Sequence, residues 1–290
     1  MSIEEALIIA RFAHYAALLV LFGASLFPLY AGLDHGRLGW LRPTSVGLAA
    51  AALVSGLAWY GVAAASMAGT FAAAIDPGVL AAVLQTMAFG QVWLARMALI
   101  LIALFVAPTL AGRALVPWLA GLSLAGIAAT GHGPSPAGPA GIAHALADVL
   151  HLLSAGWWLG GLWALGVTLR QAPGPALGSV IARFSGVGYI AAATLVMTGV
   201  VNAWLLVGSP DGLVGTPYGR LLVIKIALFL GMAALAAANR FWITPRLAIP
   251  SADPRWLSRL RRHVWLEQAL GVGVIAVVSV LGTLQPAVEI

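Results

Sequence analysis

The chain has 290 residues, 61% of them hydrophobic and 8% charged, with 15 Lys+Arg against 9 Asp+Glu for a formal net charge of +6. Soluble domains average about 25% charged residues, so this composition excludes an ordinary water-soluble globule, and a mean hydropathy of +0.99 points to a chain solvated by lipid. The absence of cysteine excludes disulfides, iron–sulfur clusters and thiolate metal sites, which leaves His, Met, carboxylates and backbone oxygen as metal donors.

Backbone groups in lipid must be satisfied within the chain, so only helices or closed barrels span a bilayer. The apolar runs are about 20 residues long, the helical length. Eight spans are predicted, at 7–31, 44–66, 89–108, 114–131, 144–168, 180–207, 219–240 and 264–284. The fold class is all-α, a polytopic membrane helix bundle. Glu4 and Glu5 stand where a signal peptide carries basic residues, so the first segment reads as a retained span. Asp76-Pro77 opens a short apolar segment, 77–87, expected at the interface before the third span.

Positive charge orients the bundle. Arg37 and Arg42, Arg113, Arg170 with Arg183 just beyond, and the run Arg240, Arg246, Arg255, Arg259, Arg261 and Arg262 fall in odd-numbered connections or at their edges. The positive-inside rule places these in the cytoplasm and both termini outside. Arginine confined in this way argues for membrane orientation and against nucleic-acid binding. Residues 255–262, interleaved with Trp256, Leu257 and Leu260, read as a basic interfacial helix.

The two halves resemble each other. His14 precedes Gly23 by nine residues, and His151 precedes Gly160 by nine. Ser55-Gly56 with Trp59 in the second span matches Thr198-Gly199 with Trp204 in the sixth. Phe89-Gly90 with Arg96 in the third matches Tyr218-Gly219 with Lys225 in the seventh. Four spans per half give both halves one orientation, hence two parallel four-helix repeats, 1–131 and 144–290, joined by a Gly/Pro-rich periplasmic loop at 132–143.

Ionisable groups within membrane segments are expensive and mark function by default. His144, Asp148 and His151 sit at i, i+4 and i+7, on one helical face. With His14 and His132 they fall in the predicted outer half. A single histidine in such a place reads as an interhelical hydrogen-bonding group. Four at similar depth read as a ligand site for Cu, Zn or Fe, with Asp148 fixing the tautomer of a ligating histidine. Met67 and Met87 offer thioethers near that face, against the simpler reading of gap-filling side chains. Arg96 and Lys225 either snorkel to headgroups or form a cationic pair that neutralises Asp148 or binds an anion. Glu267, with His263 one turn before it, is expected near the cytoplasmic face, as a relay or as the partner of a nearby arginine. Gly156, Gly160 and Gly161 form a small-residue packing face.

Several stretches match one family in order: Arg11-Phe12-Ala13-His14 with Phe22 to Phe27, Phe89 to Arg96, Gly131-His132, His151 to Leu162, Arg183-Phe184-Ser185, Tyr218-Gly219 to Lys225, Asn239-Arg240 and Glu267. Through them the chain resembles the copper resistance D family (CopD) of bacterial inner-membrane proteins. The resemblance implies eight spans, association with copper uptake from the periplasm, and a small periplasmic copper carrier of the CopC type acting as a separate protein. It also implies no enzyme, and no ATP-hydrolysis motif is present. The combined expectation is copper import through a periplasmic-side site with His14 and His151 as central ligands, His132 and His144 as entry ligands, and Asp148 as an orienting partner. The alternative is a bis-His haem b electron-transfer protein.

Overall fold

A computed structural model describes all residues except 35–37, 130–138, 172–176, 248–252 and 290. Among the described residues the chain is helical and without strands: α1 (Ile3–Ala31), α2 (Leu41–Ala68), α3 (Pro77–Thr86), α4 (Ala88–Val106), α5 (Gly112–Ala128), α6 (Pro139–Gln171), α7 (Leu177–Val207), α8 (Pro210–Gly215), α9 (Pro217–Ala238), α10 (Thr244–Leu247) and α11 (Pro254–Leu281). Seven helices are long and apolar enough to cross a membrane, the α9–α10 rod counted as one. The predicted span at 114–131 corresponds to α5, whose 17 described residues rise only about 25 Å.

Local chemistry starts these helices where it should. Ser2 and Glu5 close a reciprocal capping box on α1. Asp76, Thr216 and Asp253 cap α3, α9 and α11, each followed by proline at the first helical position. The last of these caps moves a predicted boundary. The helix expected from 264 begins at Pro254, so residues 255–262 are its first turns and not a separate interfacial helix. Likewise α6 begins at Pro139 and absorbs the end of the predicted 132–143 loop. The short helix expected at 77–87 is α3, tied to α2 by the Tyr60 hydroxyl donating to the Leu80 carbonyl at 2.7 Å.

α1 is the inner helix, packed against α2, α5, α6, α7 and α11. Against α6 the contact is backbone against backbone. A Cβ placed on Gly23 would lie 2.6 Å from the Gly160 Cα, and one on Gly160 would lie 2.7 Å from the Gly23 Cα. Small residues allow this approach in lipid, where association relies on packing and not on exclusion of water. Gly23 and Gly160, each nine residues after a histidine, thus meet at one crossing. The outer faces carry exposed Val54, Phe105, Trp118, Ile190, Val200 and Leu230, the apolar exterior expected of a bundle facing acyl chains.

Gly160→Leu is expected to lower the melting temperature of the detergent-solubilised protein by several degrees or to abolish folded yield. Gly47→Leu, where an added Cβ meets nothing within 4 Å, should leave both unchanged; equal melting of the two variants would show that the crossing is not a determinant of stability.

Candidate functional site

Two groups of polar side chains lie inside the bundle, one around His14 and one around His151. His14 is fully buried. Its Nδ1 lies 2.9 Å from the Ala52 carbonyl, which can only accept, so the hydrogen-bond network assigns the proton to Nδ1 and a lone pair to Nε2. That lone pair is taken: Arg96 Nη2 donates to it at 2.5 Å. The Ser55 hydroxyl lies 3.3 Å from Nδ1 and donates to the Ala51 carbonyl. Trp59 floors the group, with the Arg11 and Arg96 guanidinium carbons 5.6 and 5.1 Å from its ring and the His14 ring 5.5 Å away. Arg11 and Arg96 are 4% and 1% exposed. Among the described residues neither has a carboxylate within ion-pair distance.

Arg96 therefore does not snorkel; it is drawn inward onto His14. Met97, one residue later, brings a thioether to the same place. A Cβ on Gly56 would sit 2.7 Å from the Met97 sulfur and 3.0 Å from His14 Cε1, so sulfur and imidazole share the space that the glycine leaves.

The second group differs in charge. His151 Nδ1 lies 2.9 Å from the Thr198 hydroxyl, whose own proton goes to the Thr194 carbonyl at 2.6 Å. His151 must then donate from Nδ1, which leaves Nε2 as a lone pair that has no hydrogen bond among the described residues. One turn earlier on α6, Asp148 accepts from Asn202 Nδ2 at 2.6 Å and stands 3.5 Å from His144 Nε2. Lys225 of α9 interacts electrostatically with Asp148 and His151 without closing to an ion pair.

The groups correspond position by position. Ser55 and Thr198 are the serine and threonine of the repeated motif. Arg11 and Asp148 each stand three residues before the histidine, and Trp59 and Asn202 each stand four residues after the hydroxyl. One group carries two guanidiniums; the other holds a carboxylate, with an amine farther off than ion-pair distance.

Of the four histidines the sequence groups, the described ones, His14, His144 and His151, do not form one cluster. His132 lies outside the described residues. His14 and His151 are bonded within separate groups, and no three His, Asp or Glu side chains among the described residues come together closely enough to hold a metal ion. Met67 and Met87 are exposed. The ring nitrogen left open lies in the second group, where His151 Nε2 stands on the same α6 face as Asp148 and His144. His14 already has both ring nitrogens engaged.

Glu267 lies at the middle of α11, and not near its end, because the helix starts ten residues earlier than expected. It is 1% exposed, and the Trp158 indole donates to it at 2.8 Å, in place of the arginine partner the sequence suggested. His263 turns away, donating from Nδ1 to Asn239 Oδ1 at 2.9 Å. The sequence signals for Ser55, Thr198 and Asn202 were present in the repeated motif. Those for Met97, Arg11 and Trp158 were not, since each is set by a neighbour on another helix.

These features define a polytopic helical membrane protein with polar side chains set among its helices. The family models for "copper resistance protein D-like, N-terminal domain" and "copper resistance protein D" match residues 2–142 and 178–281. The chain is 36% identical to copper resistance protein D of Pseudomonas syringae pv. tomato, with 99% of each chain covered. It is 31% identical to the inner membrane protein YebZ of Escherichia coli (strain K12), over 95% of this chain and 97% of that one. It is 30% identical to copper transport protein CutJ of Bacillus subtilis (strain 168), over 78% of this chain and 43% of that longer one. The chain belongs to the copper resistance protein D family, as a multi-pass inner-membrane protein; the relatives' names point to copper resistance or transport and not to an enzyme.

Trp158→Phe removes the donor to buried Glu267 and is expected to cost about 1–3 kcal/mol. Glu267→Leu made in addition should recover part of that loss in thermal melts. Additive losses in the double variant would show that the two side chains are not coupled.

Proposed function

We propose that the chain imports copper across the inner membrane, receiving it on the periplasmic side at the face of α6 formed by His144, Asp148 and His151. The observation that carries this reading is the hydrogen-bonding of His151: Thr198 holds Nδ1–H, so Nε2 is presented as a ligand. Asp148 supplies a negative charge for the cation and is oriented by Asn202, as outer carboxylates orient ligating histidines. His144 completes the stripe nearer the helix start. His14 becomes a ligand only when Arg96 releases its Nε2. His132 has the sequence position of an access ligand.

The reading includes eight spans, with α5 as the fourth, and two parallel repeats, 1–131 and 144–290. The Gly23–Gly160 contact supports it, because it sets His14 and His151 at equal helical distance from one crossing. The arginine-rich connections support periplasmic termini. A separate periplasmic carrier of the CopC type would deliver the ion to the outer end of α6. The haem b alternative has no support: the Nε2 that a haem iron would need on His14 is engaged by a guanidinium, and none of the relatives is named for haem.

His151→Ala is expected to weaken copper binding by the purified protein at least tenfold, and Asp148→Asn by about 10–100-fold, in competition titrations. His14→Ala should weaken it less than either. Near-wild-type affinity in His151→Ala would overturn the assignment.

A further inference from the structure

At the end of the bundle opposite the histidine groups, the α9 rod departs from α-helical winding. Residues Asn239–Ile243 form a π-turn, closed by the Thr244 N–H bonding to the Asn239 carbonyl. Such turns persist where the displaced residues serve a purpose. Here the turn widens the wall facing the start of α11 and leaves a cleft of about 610 Å³. Its lining includes Arg246, Arg259, Arg262, Trp242, Trp256 and Ser258, with no carboxylate. Arg246 and Arg259 both stack on Trp256, with guanidinium carbons 4.7 and 5.0 Å from the ring. Asp253, the nearest acid in sequence, is committed to the α11 cap and to Arg255. The undescribed segment 248–252 is Ala-Ile-Pro-Ser-Ala and contributes no charge. Three cations thus share a cleft that the described chain does not neutralise.

We propose that this cleft binds the phosphate headgroup of an anionic membrane lipid. The guanidinium fork matches phosphate oxygens, and the Ser258 hydroxyl adds a donor. The stacking on Trp256 holds two of the forks in place before a ligand arrives. A lipid is favoured over a soluble phosphate because apolar side chains flank the cleft. Phe241 and Trp242 are 64% and 67% exposed at its edge, where acyl chains would lie against them. Basic pockets between membrane helices recognise anionic headgroups in this way. The proposal rests on the bundle being membrane-embedded and is independent of copper.

The test is native mass spectrometry of the full-length protein in detergent, with phosphatidylglycerol, phosphatidylethanolamine and soluble glycerol phosphate as probes. Wild type should retain one phosphatidylglycerol with occupancy at least about fivefold above phosphatidylethanolamine. The triple variant R246Q/R259Q/R262Q should fall to the phosphatidylethanolamine level, and Arg255→Gln, outside the cleft, should match wild type. Should the triple variant not fold, Arg259→Gln alone, an exposed position, is expected to at least halve the occupancy. Unchanged phosphatidylglycerol retention in whichever variant folds overturns the proposal. So does displacement of the lipid by equimolar glycerol phosphate, which would make the cleft a site for soluble phosphate.

Discussion

Everything in this bundle is positioned by a place where side chains vanish. Helices in lipid gain little by hiding apolar surface from one another, so close packing and polar contacts must hold them. At Gly23 and Gly160 the backbones of α1 and α6 touch. That contact fixes the angle and register of the two helices bearing His14 and His151. The other helices then pack around this pair: α2 and α4 supply partners to His14, and α7 supplies them to His151.

On one frame the chain has built two polar groups of opposite character. A histidine bonded through Nδ1 and a hydroxyl from the neighbouring span are common to both. What differs is the third position. A guanidinium caps the imidazole in one group, and the lone pair is left open beside a carboxylate in the other. The charge around each imidazole is thus set by single side chains on neighbouring helices.

Hydropathy and arginine placement revealed the helical class, the order of the apolar segments and the short α3, since these depend on local composition and length. The arginine run at 255–262 suggested a surface helix; burial of Leu260 and Val264 against the bundle overrides that charge. The site was legible as residue types and not as partners. The motif pairing Ser55 with Thr198 marked the residues that hold the two histidines. Nothing local indicates that Arg96 turns inward to His14, that Asn202 reaches Asp148, or that Trp158 supplies the bond to Glu267, because each contact joins helices remote in sequence. The expectation of a shared four-histidine cluster placed the residues at a common depth without knowing which faces they present.

The guanidiniums of Arg11 and Arg96 also act as a filter. In a medium of effective dielectric constant about 20, a monovalent cation brought within about 5 Å of one such charge is repelled by roughly 3 kcal/mol. Two of them on one indole impose a penalty on the order of a ten-thousandfold exclusion if both act at that distance. The α1–α2–α4 side of the bundle therefore repels metal ions for as long as both guanidiniums stay on the indole. A cation meets a lower electrostatic cost on the α6–α7–α9 side, where Asp148 stands.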